Sequence, residues 1–235
     1  MRNFISEDDI EQAILQKLEG DPFQYGILRC DPSPDKRELL PDGTGRSSKK
    51  ECVLPLILRE ALARLNPDIP GEKLEEIARD LCRDFSATDM TATNYKYYNQ
   101  IRNGIKISLR RNGKEDFDFV KLVDFDRPEN NTFTAVSQMW IQGRVYWRRP
   151  DVLIFINGLP MVFVELKNSI VKVEEAYNDN LKNYLRDIPN LFALNQICVL
   201  SNGLETRLGA FNATYNHFFE WLKVASEKER PDRQA

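Results

Sequence analysis

Three residues in the middle of the chain, Asp151, Glu165 and Lys167, have the types and spacing for metal-assisted phosphodiester chemistry. Asp151 opens a β-branched run, and Glu165 and Lys167 lie two residues apart in the next apolar run. A carboxylate in such a run is expensive to desolvate unless a cation or a proton neutralises it. Two carboxylates and one ammonium group on a rigid hairpin suit a hard divalent cation and a phosphodiester. The pattern therefore predicts a nuclease-like site.

The hairpin that positions these residues is predicted from its turn and from its alternation. Asn157-Gly158 separates the two runs and is typical of a two-residue turn. Successive side chains of a strand point to opposite faces of the sheet. One predicted face carries Met161, Phe163, Glu165 and Lys167, and the other carries Val162, Val164 and Leu166.

A helix near the start of the chain is predicted to bring a further carboxylate. Ser6 with Asp9 resembles a capping box, and the helix is expected to run to about Leu18. Glu11 falls inside the apolar arc of this helix rather than on its solvent side. The arc consists of Ile10, Ala13, Ile14 and Leu18.

A second helix is predicted directly after the hairpin, at residues 173–186. Asn180 lies on its inner face, one turn before Tyr184. The inner face carries Val173, Tyr177, Leu181 and Tyr184, and the opposite face carries Glu175, Asp179, Lys182 and Arg186.

The remaining segments predict further helices and strands around this centre. Residues 29–50 read as a long surface loop, with Lys49 and Lys50 in solvent. The fragment GTGRSSKK lacks the glycine before Lys49 that a P-loop requires, so this chain is not expected to bind ATP. Other expected elements are helices at 51–66, 72–84 and 215–223, neighbouring strands at 117–125 and 132–141, a strand at 195–201, and a returning strand at 206–211.

Composition sets limits on partners and chemistry. The chain of 235 residues is 42% hydrophobic and 29% charged, which suits one sizeable domain. A net charge of −3 means that any DNA contact needs a local basic patch or DNA-holding partners. His217 is the only histidine, and the cysteines are scattered, which excludes multi-histidine and CxxC sites within this chain. No signal peptide or membrane span is evident, so a cytoplasmic location without membrane contact is expected.

Several blocks of the sequence resemble one nuclease family in the family's own order. They are SEDDIEQAI, LREALARLNP, DFDRPENNTF, RRPDVLIFINGLPMVFVELKN and FALNQICVLSNGLETRLGAF. Together they resemble the PD-(D/E)xK nuclease core and, more narrowly, the N-terminal restriction domain of the R subunit of type I restriction–modification enzymes. The resemblance implies an α/β fold with a restriction-endonuclease-like core, a mixed central sheet flanked by helices. It implies an endonuclease domain at 1–225, with a loop-rich insertion at about 29–50 and helices at about 51–84. A polar tail or linker at 226–235 would lead to motor domains that are missing here.

The resemblance also implies a role for each site residue. Asp151 matches the PD aspartate, and Glu165 and Lys167 match the ExK pair. Mg²⁺ would be held by Asp151, Glu165 and the carbonyl of Leu166, while Lys167 would orient the nucleophile or stabilise the transition state. Glu11 matches an acidic residue that many such nucleases direct toward the metal, with Glu7 as the alternative.

A second motif of the family, QxxxY, is matched only in part. Tyr184 is present, but Asn180 replaces the glutamine and is one methylene shorter. These two residues are expected to hydrogen-bond the DNA backbone or to orient Lys167. Arg148 and Arg149 flank the site and are expected to bind phosphate, as is Arg144.

The implied function is Mg²⁺-dependent cleavage of double-stranded DNA within a type I restriction enzyme. Methylation and specificity subunits would be the partners, and ATP would serve motor domains outside this chain. Two rivals remain open. One is a stand-alone DNA repair or recombination nuclease of the same fold, which motor motifs in the reading frame beyond residue 235 would exclude. The other is a non-catalytic docking module with a decayed site, which the Asn180 replacement favours.

Overall fold

The computed structural model describes residues 4–111 and 114–221, and its elements follow the chain as helices α1–α6 and strands β1–β11. The helices are α1 (Glu7–Glu19), α2 (Pro55–Leu65), α3 (Gly71–Cys82), α4 (Met90–Asn103), α5 (Val173–Glu175) and α6 (Lys182–Asp187). The strands are β1 (Gly26–Arg29), β2 (Ile105–Arg111), β3 (Lys114–Val120), β4 (Phe133–Ser137), β5 (Ile141–Gln142), β6 (Trp147–Arg148), β7 (Val152–Ile156), β8 (Leu159–Leu166), β9 (Ile197–Ser201), β10 (Thr206–Gly209) and β11 (Phe219–Glu220).

A mixed sheet is the centre of the molecule. Within the described residues it has seven strands in the order β1-β4-β7-β8-β9-β10-β11. The pairs β1–β4 and β8–β9 are parallel, and the other neighbouring strands are antiparallel. Helices cover both faces of this sheet, which confirms the predicted α/β class.

The central hairpin β7–β8 has the predicted two-residue turn. Asn157 and Gly158 have φ angles of 53° and 80°, as a type I′ turn requires. The register shifts by one residue between Ile154 and Phe155, which is a β-bulge. Beyond the bulge Val152 pairs with Val164, so the next step places Asp151 opposite Glu165. Residues directly opposite each other share a face of the sheet. The bulge thus sets the two carboxylates side by side.

Alternation along the strands creates two separate cores, one on each face. On one face Val136, Leu153, Phe163 and Leu200 pack against Leu181, with the rest of their cluster. This side is covered by α5, a π-helical segment (Ala176–Leu181) and α6, here called the composite helix. The opposite face is covered by α1, whose Ile10 and Leu15 pack against Ala135, Val152, Val164 and Leu166.

Helix α1 is capped as predicted and presents most of the predicted face to the sheet. The Ser6 hydroxyl accepts from the Asp9 amide, and the Asp9 side chain accepts from the Ser6 amide, which completes the capping box. Ala13 is exposed, whereas Leu15 is fully buried. Ile10, Ile14 and Leu18 pack on the sheet as predicted, together with Leu15 in place of Ala13. Glu11 is buried on the same side of the helix, so a carboxylate accompanies the apolar stripe.

A third hydrophobic core lies at the end of the sheet where the hairpin turns. Helices α2, α3 and α4 and the two-stranded ribbon β2–β3 surround it, with Leu159 and Met161 of β8 contributing. Helix α2 begins at Pro55, in the first turn as expected, and α3 also agrees with prediction. Helix α4 was not predicted, because among its residues only Tyr97 and Ile101 are buried.

The prediction that 117–125 and 132–141 are neighbouring strands is wrong. Strand β3 pairs with β2 in a separate ribbon, whereas β4 pairs with β1 and β7 in the main sheet. Both segments have strand-like composition, but composition does not specify which partner each strand finds.

The loop at 29–50 is solvated over residues 31–41 and at Lys50, as predicted. Its second half is folded inward at Thr44, Arg46 and Lys49, so the prediction that Lys49 is in solvent is wrong. Lys49 is buried, and its amine lies 2.6 Å from a carboxylate oxygen of Asp42, which Arg46 also contacts at 2.7 Å. Here two buried cations share one carboxylate, and the pKa of Asp42 is lowered despite its burial because Lys49, Thr44 and Arg46 donate to it. Burial of these groups is possible because they are paired.

The end of the described chain also differs from prediction. Instead of a helix at 215–223, a short 3₁₀ turn (Tyr215–His217) leads into strand β11, which pairs with β10. Phe218 is buried in the sheet core, and this anchors the segment as an extended edge. Residues 222–235, including the predicted tail at 226–235 and the domain boundary at 225, lie outside the described residues. Across the portion of the chain that is described, no helix has the length and apolar character needed to cross a bilayer.

Candidate active site

One edge of the sheet collects the predicted site residues. The carboxyl ends of β4, β8 and β9 and the start of β7 meet there, as their pairing requires. The amide of Gln138 donates to the Asp151 carbonyl at 2.9 Å, and the amide of Lys167 donates to the Ser201 carbonyl at 2.8 Å. These backbone bonds hold both ends of the hairpin in place, so the side chains that follow the strands are rigidly presented.

Asp151 is oriented by donors on both of its oxygens. Its Oδ2 accepts the amide of Leu166 at 2.7 Å, and its Oδ1 lies 3.4 Å from Nε2 of Gln138. The first bond crosses from β7 to β8, so the carboxylate is tied to the strand that carries Glu165.

Glu165 is a buried carboxylate with one oxygen satisfied and one not. The side chain is 2% exposed, and its Oε1 accepts from Nδ2 of Asn180. The amine of Lys167 lies 3.9 Å from the same oxygen and is 15% exposed. Oε2 is buried and finds no hydrogen-bond partner among the described residues. An unpartnered buried carboxylate oxygen costs free energy unless a cation or a proton meets it.

Glu11 approaches the same edge from the opposite face of the sheet. It is 6% exposed and accepts from Nε2 of Gln138, which also contacts Asp151. The start of its helix is fixed by Ser169: the Ile5 amide donates to Oγ of Ser169 at 2.9 Å, and the Ser169 amide donates to the Ile5 carbonyl at 3.0 Å. Glu11 therefore stands beside Asp151, bridged to it by an amide.

Electrostatics raise the pKa of all three carboxyl groups. Burial is the largest cause in each case. The pKa of Glu165 is raised well above its usual value, mainly by burial. The charge of Asp151 adds to the rise, while the charge of Lys167 and a side-chain hydrogen bond with Tyr184 oppose it. For Asp151 the Leu166 amide opposes the rise, and for Glu11 the Gln138 amide does so. Such desolvated anions favour the arrival of positive charge.

The donor set suits a hard cation bound by few protein ligands. No group of three or more His, Cys, Asp or Glu side chains within residues 4–111 and 114–221 is arranged to hold a metal ion. Mg²⁺, however, is usually held by one or two carboxylates and keeps several waters. Asp151 and Glu165, with the unpartnered Oε2, meet that requirement. Direct contact of Glu11 with a cation stays a prediction.

The composite helix supplies the QxxxY-like pair. Asn180 lies in its π-helical segment and reaches Glu165 despite its short side chain. π-Helical segments occur often at functional sites. Tyr184 is 6% exposed, and its hydroxyl donates to the Arg149 carbonyl at 3.1 Å. The pKa of Tyr184 is raised well above its usual value by burial and by Glu165 and Asp151, so the hydroxyl remains a donor.

This geometry revises the expected contacts of Tyr184 and Arg148. Tyr184 is buried against Arg149, which suits an orienting role rather than contact with the DNA backbone. Arg148 is committed to Asp187 through two hydrogen bonds and is 31% exposed, so it is not a free phosphate ligand. Asp187 has a lowered pKa because Arg186 and Arg148 donate to it.

Arg149 lies at the border of a pocket beside the site, and its contact with phosphate stays a prediction. Its guanidinium lies 5.2 Å from the Trp140 ring centroid and donates to the Pro32 carbonyl at 3.1 Å. It borders an open pocket of about 420 Å³ that is also lined by Asp151 and Glu11, whereas Glu165 and Lys167 are not among its lining residues. The pocket is lined by Glu7, Asp8, Glu11, Gln12, Arg29, Cys30, Pro32, Ser137, Gln138, Arg149 and Asp151. Glu7 thus lies near the site, and Arg29 is a second cation at its rim, whereas Arg144 lines a different pocket.

Gln138 is the site residue that sequence reasoning missed. It follows β4 and bridges Glu11 and Asp151, two residues from separate predicted elements. Its only sequence signal is a polar residue directly after an apolar strand, which also occurs at ordinary strand ends.

Fold and site together define a restriction-endonuclease-like α/β protein with a carboxylate edge. The family model described as the type I restriction enzyme R protein N terminus matches residues 4–217. The chain belongs to this family.

Two curated relatives match almost the whole chain, and a third matches about half of it. The HindI type I restriction enzyme endonuclease subunit of Haemophilus influenzae is 32% identical over 97% of this chain and 21% of its own length. The putative MjaIXP endonuclease subunit of Methanocaldococcus jannaschii is 30% identical over 94% of this chain and 21% of its own length. A Staphylococcus aureus endonuclease subunit, SauCOLORF180P, is 33% identical over 49% of this chain. The chain therefore spans about a fifth of the length of the first two relatives.

Proposed function

We propose that this chain is the Mg²⁺-dependent endonuclease domain of a type I restriction enzyme R subunit and cleaves phosphodiester bonds of double-stranded DNA. The observation that carries the proposal is the buried, half-satisfied Glu165 beside Asp151, with Lys167 next to it. Burial of a carboxylate with an unpartnered oxygen is unfavourable for a structural residue. It is useful for a cation ligand, because the cation meets charge that the fold leaves uncompensated.

Each side chain has a distinct task in the proposed reaction. Asp151, held by the Leu166 amide and by Gln138, presents oxygens at the sheet edge. Glu165 presents its free Oε2, while Asn180 fixes its other oxygen. The carbonyl of Leu166 is the third proposed ligand. Mg²⁺, when bound, polarises the scissile phosphate and lowers the pKa of the attacking water.

Lys167 and Arg149 are assigned to the phosphate. Lys167 provides a positive charge near the carboxylate pair, where it orients the nucleophile or stabilises charge that develops on the phosphoryl oxygens. Arg149, held in place by the Trp140 ring and the Pro32 carbonyl, binds a backbone phosphate at the rim of the pocket. The Tyr184 hydroxyl donates to the backbone carbonyl of Arg149 and so helps to orient Arg149.

The partners follow from the family and from the chain's share of its relatives. Methylation and specificity subunits recognise the DNA, and ATP serves the motor portion of the longer subunit rather than this domain. Asn180 still reaches Glu165, so the replaced glutamine does not by itself disconnect the motif. This removes the argument for a decayed docking module that rested on Asn180.

The test is plasmid cleavage by the reconstituted complex with Mg²⁺ and ATP. Asp151→Ala and Lys167→Ala are expected to abolish cleavage and leave ATP-driven translocation intact. Exposed residues of the same types supply matched controls: Asp126→Ala and Lys172→Ala are expected to cut normally. Normal cutting by Asp151→Ala or Lys167→Ala would refute the site.

A further inference from the structure

Gln138 has a backbone conformation that side-chain-bearing residues seldom adopt. Its φ angle is +57°, in the left-handed region. It stands directly after Ser137, the last residue of β4, and its amide donates to the Asp151 carbonyl at 2.9 Å. A non-glycine residue in this region costs free energy and persists where its surroundings hold it there. The bend turns the chain at the edge where the carboxylates meet.

The side chain of Gln138 serves two carboxylates at once. Its Nε2 donates to Oε2 of Glu11 and lies 3.4 Å from Oδ1 of Asp151. An amide nitrogen carries two hydrogens, one for each carboxylate. Glu11 belongs to the helix on one face of the sheet, and Asp151 belongs to the central hairpin. A neutral donor thus lies between two negative groups that otherwise repel each other.

The other contacts of Glu11 and Asp151 each serve one of the two carboxylates. Asp151 has its second oxygen on the Leu166 amide, so the Gln138 contact completes the fixing of its carboxylate plane. Ser169 anchors the beginning of α1, which brings Glu11 near the edge. Ser137 also hydrogen-bonds the Glu11 carboxylate, but the amide of Gln138 is the group that reaches both Glu11 and Asp151.

We propose that Gln138 is a positioning residue of the cation site, where its amide holds Glu11 and Asp151 as one pre-arranged pair. The inference rests on the proposed function, because it assumes that Asp151 and Glu165 take up a divalent cation. Removal of the outer partners of metal ligands lowers metal affinity about 10- to 100-fold. A loss of that size is therefore expected when the amide is removed.

The test is calorimetric titration of this chain with Mn²⁺ after chelator treatment, without DNA or ATP. Gln138→Ala and Gln138→Gly are both expected to bind Mn²⁺ about 10- to 100-fold more weakly than the unaltered chain. Glycine adopts a positive φ without strain, so the second variant removes the amide and relieves the backbone. Gln16→Ala, an exposed glutamine on α1, is the control and is expected to bind normally.

A double-mutant cycle adds a second readout. Because Gln138 acts through Glu11, the effect of Gln138→Gly is expected to be smaller in a Glu11→Ala background than in the unaltered chain. If the effects of the two substitutions on Mn²⁺ affinity simply add, the inference is overturned. It is also overturned if Gln138→Gly keeps full Mn²⁺ affinity while Gln138→Ala loses it, because the backbone alone would then be responsible.

The failure of this inference is distinguishable from that of the proposed function. If the unaltered chain binds Mn²⁺, loses it on Glu165→Ala and keeps it in both Gln138 variants, the inference alone is overturned. If the unaltered chain does not bind Mn²⁺, both are overturned. Should Gln138→Ala fold poorly, Gln138→Gly supplies the measurement, since it carries no strained side chain at that position.

Discussion

Replacing Glu165 with glutamine tests whether the buried charge of Glu165 destabilises the protein when no cation is bound. Glu165→Gln removes the buried charge and keeps the shape of the side chain. Burial and the nearby charge of Asp151 raise the pKa of Glu165 well above its usual 4.5. A carboxyl group whose pKa is raised by folding contributes stability that is fully present below its unfolded pKa and is lost as the pH rises. The free energy of unfolding should therefore fall with rising pH above about 4.5.

The size of the effect follows from the number of protons. One group contributes a slope of at most about 1.4 kcal/mol per pH unit between its unfolded and folded pKa values. Glu11 and Asp151 also have raised pKa values. The free energy of unfolding of the unaltered protein can therefore fall with pH at up to three times the slope of a single group. Glu165→Gln should remove the part of this slope that comes from Glu165. At pH 8 without cation it should be more stable than the unaltered protein, because the buried charge is gone. The gain is about 1.4 kcal/mol for each unit, up to pH 8, by which folding raises the pKa of Glu165.

The assay is urea unfolding at several pH values with a chelator present, repeated with added Mg²⁺. Mg²⁺ at one hundred times its dissociation constant should stabilise the unaltered protein by about 2.7 kcal/mol, and the variant by much less. Glu175→Gln, on the exposed face of the composite helix, is the control and should follow the unaltered protein. Equal loss of stability with pH in the Glu165 variant and the unaltered protein would refute the reasoning, as would a less stable variant at pH 8.

Two further predictions concern other buried polar groups. Asn180→Ala removes the donor to Glu165 and should lower the rate of plasmid cleavage about tenfold, because one hydrogen bond to a charged group is lost. Asn180→Gln restores an amide and should retain more activity. Equal rates for the two variants would contradict this prediction. Asp42→Asn leaves two buried cations without their carboxylate and should lower the free energy of unfolding by about 3–5 kcal/mol in urea titrations, with exposed Asp35→Asn unchanged as the control. A small effect at Asp42 would show that solvent reaches the cations.

Local patterns predicted the elements closest to the site. The Asn157-Gly158 turn and the period-two alternation specify the central hairpin, because a two-residue turn and one buried face leave few registers. The same reasoning places Asn180 and Tyr184 on the inner face of the composite helix. Here the decisive interactions lie within a few residues of each other, so the sequence reports them.

Patterns failed where the decisive contact was distant in the chain. Helix α4 is mostly polar and is held by two buried residues against elements far away. The segment at 215–220 was predicted as part of a helix. Instead, Phe218 is buried in the core and β11 pairs with β10. Lys49 is buried where its segment packs beside β5: the Gln142 amide donates to the Lys49 carbonyl at 3.0 Å, and Asp42 pairs with its amine. In each case tertiary packing overrides local preference.

The sequence by itself determined which chemical groups are available, since the central hairpin carries Asp151, Glu165 and Lys167 and residues 151–167 contain no histidine or cysteine. The tertiary structure decided which of these groups meet. A β-bulge sets Asp151 opposite Glu165, and Gln138 joins Glu11 to that pair across the sheet edge. Sequence patterns carry periodicity, which reports faces and turns. They do not carry register shifts or the pairing of residues more than a hundred positions apart, because those depend on how whole layers pack.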